Sequence, residues 1–141
     1  MNNARIQAVK LLGKTFSKGG YSNILLDKTL NNIDMSAQEK ALCAAIYYGV
    51  LERKITLDYI ISQYSKSKLS KINPVALNIL RTGIYQLKFM DNIPDSIAVN
   101  ESVNTAKKLK LAKLSGFVNA VMRSFLRDEK QIKYPDSEIE R

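Results

Sequence analysis

Apolar residues recur every three or four positions along almost the whole chain, and no run of four or more residues between turn signals alternates with a period of two. A strand buries one face through period-two alternation and a helix through the longer period, so the pattern points to an all-α fold. Ile6, Val9, Leu12, Gly13 and Phe16 mark the first stripe. Gly19-Gly20 is expected to end that helix, because glycine accepts a positive φ without a Cβ clash. Ser22 is expected to cap a shorter helix carrying Ile24, Leu25 and Leu30. Ser36-Ala37-Gln38-Glu39 has the spacing of a capping box, in which hydroxyl and carboxylate each satisfy one orphan backbone donor. The stripe that follows, Leu42 to Val50 and then Leu57 to Tyr64, fits one long helix or two joined by a bend between Arg53 and Thr56. Asn73 before Pro74 is the clearest start signal, a cap followed by a residue whose missing N–H costs nothing in the first turn. Residues 91–95 are expected to form a turn and cap, followed by a helix to about Lys108, and a last helix is expected from about Ser115 to Arg127, with Phe117, Val121, Met122 and Phe125 inward.

Counting removes several chemistries. The 141 residues contain no His and one Cys, which excludes Ser-His and Cys-His nucleophiles, His-ligated metals and an internal disulfide. Cys43 sits between Leu42 and Ala44 in an apolar helical context and reads as a buried bystander. Catalytic and metal-ligating residues are therefore expected to be absent from this chain. The most apolar run, 41–51, is too short to span a bilayer, and no membrane partner is expected. The amphipathic start is unlike an export signal, and with the lone Cys it fits a reducing cytoplasm.

The formal net charge is +9, an excess that suits a polyanionic partner, nucleic acid first. Its distribution says more. Residues 1–20 hold Arg5, Lys10, Lys14 and Lys18 with no acid, 59–90 hold five bases with none, and 102–127 hold six with none. Lys10, Lys14 and Lys18 follow an i, i+4, i+8 spacing and share one helix face off the apolar stripe. Lys107, Lys108, Lys110 and Lys113 crowd the connector between the last two helices. These eight residues, Arg5 included, are the expected RNA contacts, through phosphate and shape rather than base identity. A helical domain over 1–127 is expected, with 128–141 as a net-acidic polar tail or the start of a linker.

The order of several short segments is distinctive. They are Tyr21-Ser22-Asn23, Tyr48-Gly49-Val50-Leu51-Glu52-Arg53, Leu57-Asp58-Tyr59, Leu80-Arg81-Thr82-Gly83-Ile84-Tyr85, Ile93-Pro94 with Val99-Asn100-Glu101-Ser102, and Gly116-Phe117-Val118-Asn119-Ala120-Val121-Met122-Arg123. Together they resemble the NusB-like amino-terminal domain of bacterial small-subunit ribosomal RNA cytosine-C5 methyltransferases (the Sun/Fmu, or RsmB, family), over about residues 4–127. The resemblance implies a bundle of about seven helices. It also implies a non-catalytic RNA-binding role beside a catalytic domain that uses S-adenosylmethionine, with small-subunit ribosomal RNA and that carboxy-terminal domain as partners. That domain's Cys nucleophile and glycine-containing cofactor loop have no counterpart here, so no cofactor is expected in this chain.

Two other readings stand beside it: a stand-alone NusB-type transcription antitermination factor acting with a ribosomal protein on leader RNA, and a helical protein–protein docking module. Within the fold, Arg81 shares a stripe with Leu77 and Ile84, and Glu101 shares one with Ile97 and Ala98. A charge on a half-apolar face needs a partner, so Arg81 and Glu101 are expected to lie close, paired directly or bridged by Asn119, with Asn100 completing a polar network. Gly49 and Gly83 are expected to permit close helix contacts.

Overall fold

The computed structural model describes residues 3–18 and 23–134, which form six α-helices: α1 (Ala4–Ser17), α2 (Asn23–Asn31), α3 (Ala37–Tyr64), α4 (Pro74–Phe89), α5 (Asp95–Lys108) and α6 (Ser115–Asp128). Three short 3-10 turns, Leu69–Lys71, Ala112–Leu114 and Glu129–Gln131, complete them, and there is no strand among the described residues. The fold is the expected all-α bundle. Its 28-residue α3 answers the open question of one helix or two: it is two helical arms joined at a kink, where Arg53 leaves helical geometry at φ −113°, ψ 17°. Counting its two arms separately gives the seven helices anticipated. No helix among the described residues is long and apolar enough to cross a membrane.

Local chemistry accounts for the helix starts. Asn3 accepts the Ile6 amide at 2.8 Å, and Asn73 accepts those of Val75 and Ala76 with Pro74 in the first turn. Ser36 Oγ accepts the Glu39 amide at 3.1 Å. The reciprocal half of the capping box is replaced: the Glu39 carboxylate accepts the Ala4 amide at 3.0 Å. One side chain thus satisfies an orphan donor on a different helix, and α3 is tied to the start of α1. The expected Gly19-Gly20 stop and Ser22 cap lie outside the described residues.

α4 runs through the centre, packed against α1, α3, α5 and α6. Leu11, Leu12, Ile46, Tyr47, Leu57, Ile60, Ile79, Leu80, Ile84, Met122 and Phe125 have essentially no exposed surface and fill the core. Tyr47 Oη and Thr15 Oγ1 hydrogen bond at 2.6 Å inside it. A Cβ on Gly83 would sit 2.7–2.8 Å from the Met122 side chain and Ser102 Oγ, and one on Gly49 would fall inside the Tyr85 ring. Both glycines therefore set close helix approaches, Gly83 toward α5 and α6 and Gly49 where α3 crosses α4.

That geometry corrects the expected pairing of Arg81 with Glu101. Arg81 lies two positions before Gly83, about 200° around the helix, and so faces away from α5. Its Nε and Nη2 donate to the Asp58 carboxylate at 2.7 and 3.1 Å, and Nη1 donates to Asn78 Oδ1 at 2.9 Å. Its guanidinium lies 5.0 Å from the centre of the Phe16 ring. Lys54 adds a third bond to Asp58 at 3.0 Å. The buried charge pair thus joins α3 to α4 beneath α1. Asn119 accepts from Arg123 on its own helix, and Asn100 is exposed.

Residues past α6 stay against the bundle. Tyr59 Oη donates to the Lys133 carbonyl, the Tyr59 and Tyr134 rings are 5.7 Å apart, and Lys88 sits 5.2 Å over Tyr134. Ile132 and Tyr134 pack on the core, so the ordered body continues to Tyr134 where a polar tail was expected from 128. Residues 135–141 of that tail lie outside the described residues.

Candidate nucleic-acid interface

α1 turns Ala4, Ala8, Leu11, Leu12 and Thr15 inward, which leaves Lys10, Lys14 and Lys18 exposed on the far side. Lys10, Gly13 and Lys14 form one wall of a groove of about 400 Å³. Pro74, Val75 and Asn78 at the start of α4 form the opposite wall, and Leu109 closes it. A second, larger groove of about 670 Å³ opens on the other side of the same helix start, lined by Tyr64, Lys66, Lys71, Asn73, Leu114 and Phe117 among others. No acidic side chain lines either groove.

The connector between α5 and α6 links the two grooves, since Leu109 lines the first and Leu114 the second. Lys110 and Lys113 are exposed along it. Its backbone is constrained. The Leu111 amide donates to the Ala106 carbonyl at 2.8 Å and the Lys110 amide to Lys107 at 3.2 Å, the pattern of a Schellman cap. The residue at its left-handed position is Lys110, with φ 67°, where glycine is the usual occupant. Lys107 and Lys108 are exposed in the last turn of α5, where positive charge also complements the helix dipole.

The structure therefore brings Lys10 and Lys14 together with the 109–114 connector, around a helix start whose first turn holds no acid. The first-turn amides of Val75 and Ala76 are taken by Asn73 Oδ1 and that of Leu77 by the Asn73 carbonyl, so what an anion would meet there is the positive end of the helix dipole and the lysines around it. Lys18 is exposed one turn further along α1. Arg5 is different. It is half-buried and its Nε donates to Gln86 Oε1 at 2.8 Å. Burial pulls its pKa down, while Glu101 and Glu39 push it back up. Its guanidinium is thus engaged inside the bundle by Gln86, and the charge of Glu101, expected beside Arg81, acts on Arg5. Lys66 and Lys71 belong to the acid-free stretch 59–90 but were not among the expected RNA contacts, and Tyr64 and Phe117 were expected only as stripe residues facing the core, where both are in fact half-buried. The aromatic pair becomes visible only when α3 and α6 meet.

These features place the chain among known proteins. The NusB family model matches residues 2–127. The chain belongs to the NusB family. T. maritima NusB has the same fold, with a TM-score of 0.76, 22% identity and 89% of both chains covered. Among NusB-family relatives, a probable ribosomal RNA small subunit methyltransferase B of Bacillus subtilis is 34% identical over 86% of this chain and 27% of its own length. One from Synechocystis is 34% identical over 94% of this chain and 30% of its own length. This chain thus spans less than a third of either methyltransferase. A transcription antitermination protein NusB of Dictyoglomus thermophilum is 36% identical over 71% of this chain and 70% of its own length.

Proposed function

We propose that this chain is the RNA-gripping amino-terminal domain of a small-subunit ribosomal RNA cytosine-C5 methyltransferase of the cytoplasm. It makes no bonds itself, and the S-adenosylmethionine site belongs to a catalytic domain further along the polypeptide. The observation that carries the reading is the convergence of Lys10, Lys14 and the Lys110–Lys113 connector around the start of α4, with no carboxylate in either groove. Lysines far apart in sequence that meet around two grooves without a carboxylate make a track for a phosphate backbone. Lys18, Lys107 and Lys108 extend it. Tyr64 and Phe117 in the second groove offer apolar faces to an unpaired base. Single-stranded ribosomal RNA is therefore the substrate class that fits best.

A filter-binding titration with a single-stranded segment of small-subunit ribosomal RNA tests this. Affinity is expected to fall steeply with salt. Replacing Lys10, Lys14 and Lys110 together by Ala should flatten the logarithmic salt slope by about 0.7 per lysine. An affinity indifferent to salt and to these substitutions would reject the reading.

The antitermination factor is the second reading, favoured by the 36% identity to the Dictyoglomus relative over 70% of that relative's length. The coding sequence beyond Arg141 separates the two: a methyltransferase domain supports the first reading and a stop codon the second.

A further inference from the structure

α3 carries apolar residues on its solvent side as well as on its core side. Ala41, Ala45, Tyr48 and Ile55 are exposed, with Tyr48 at 39% and Ile55 at 61% of full exposure. Glu52 is the one charged residue among the five exposed positions between Ala41 and Ile55. An exposed aromatic flanked by further exposed apolar side chains is the composition found at the centre of a protein interface. A polyanion does not fit such a face.

The path of the chain says what covers it. Asp128 and Gln131 lie beside Tyr64, and Lys133 and Tyr134 beside Tyr59. The segment after α6 thus runs antiparallel to α3 and heads from its carboxy-terminal end toward Ile55. The two methyltransferase relatives are more than three times as long as the part they share with this chain. We infer that the solvent face of α3, centred on Ala45, Tyr48 and Ile55, is the docking surface for the catalytic domain that follows this chain. This inference rests on the methyltransferase reading proposed above. The geometry separates two duties, with RNA on the lysine grooves and the catalytic domain on α3.

Thiol labelling tests the assignment. Ala45→Cys places a reactive group at the centre of the face, and Lys14→Cys places one in the first groove. Each is made in the 141-residue chain and in the full-length protein, with maleimide uptake read by mass spectrometry of the peptide concerned. Position 45 is expected to label at least about tenfold more slowly in the full-length protein, with position 14 unchanged. Adding Tyr48→Glu and Ile55→Glu to Ala45→Cys should restore the fast rate. Equal rates at position 45 in both proteins overturn the docking surface and leave the RNA reading intact. Slow labelling already in the 141-residue chain also overturns it, pointing to a second copy if it depends on concentration and to the chain's own tail if it does not. A gene that ends at Arg141 overturns the inference together with the methyltransferase reading.

Discussion

Asp58 serves two cations of unequal burial, and the difference sets what each is worth. The Arg81 side chain is 9% exposed and holds Asp58 through two bonds, whereas Lys54 is 40% exposed. Removing one member of a buried pair strands the other, which costs about 3–5 kcal/mol. An exposed i, i+4 pair contributes about 0.3–0.5 kcal/mol. Asp58→Asn is therefore expected to lower the urea midpoint strongly, and Lys54→Ala hardly at all. Cys43 is fully buried, and burial, helped by Glu39, pushes its thiol up from 9.0 to about 12. The native state then binds more protons than the unfolded state between those values, so this contribution is intact below pH 9 and is lost as pH rises toward 12. Urea unfolding from pH 8 to 11 should show stability falling, less steeply in Cys43→Ala. Burial raises Tyr64 and Tyr134 too, so some alkaline loss remains in that variant. Single residues were the least legible level of the sequence. That Arg81 needed a partner followed from its apolar neighbours, but which one depended on the helix face that Gly83 reserves for α5 and α6. The same holds for Glu39, whose local partner was the nearer guess and whose actual partner is on another helix.

At the scale of elements the sequence was far more open, because caps and apolar periods act within a few residues. Asn73-Pro74 states the start of α4, and the stripes state which side of each helix is buried. The bend in α3 was placed correctly near Arg53, but the continuity of that helix was not decidable, since a kinked helix and two short ones share one apolar period. The connector after α5 was readable as basic, while its left-handed turn was not, since no glycine or asparagine announces it. Forcing a residue with a Cβ into that region costs about 1–2 kcal/mol. Lys110→Gly should therefore raise the thermal midpoint while weakening RNA binding, a pairing of effects that a residue kept for stability alone would not show. Melting curves and the titration above measure both.

For the whole molecule, the fold class was fixed by the absence of period-two alternation. The candidate interface was half legible: the lysines were evident, but their convergence on the start of α4 depends on how the helices pack. The extent of the body was misjudged at its end, because Lys133 and Tyr134 look polar in isolation and are held by Tyr59 and Lys88. Tyr134→Ala should cost about 1–2 kcal/mol in urea unfolding, from lost apolar burial and ring contacts, and should speed proteolytic cleavage after Asp128. The route of that last segment also fixes a neighbourhood. Tyr134 lies between Lys88, in the last turn of α4, and Tyr59, and residues 131–133 share a pocket with Tyr64, whose side chain also lines the second groove. Tyr64 is thus a common wall, with the returning segment on one side of it and the lysine-flanked groove on the other, so a change in how that segment sits is felt at the rim of the groove through a single side chain.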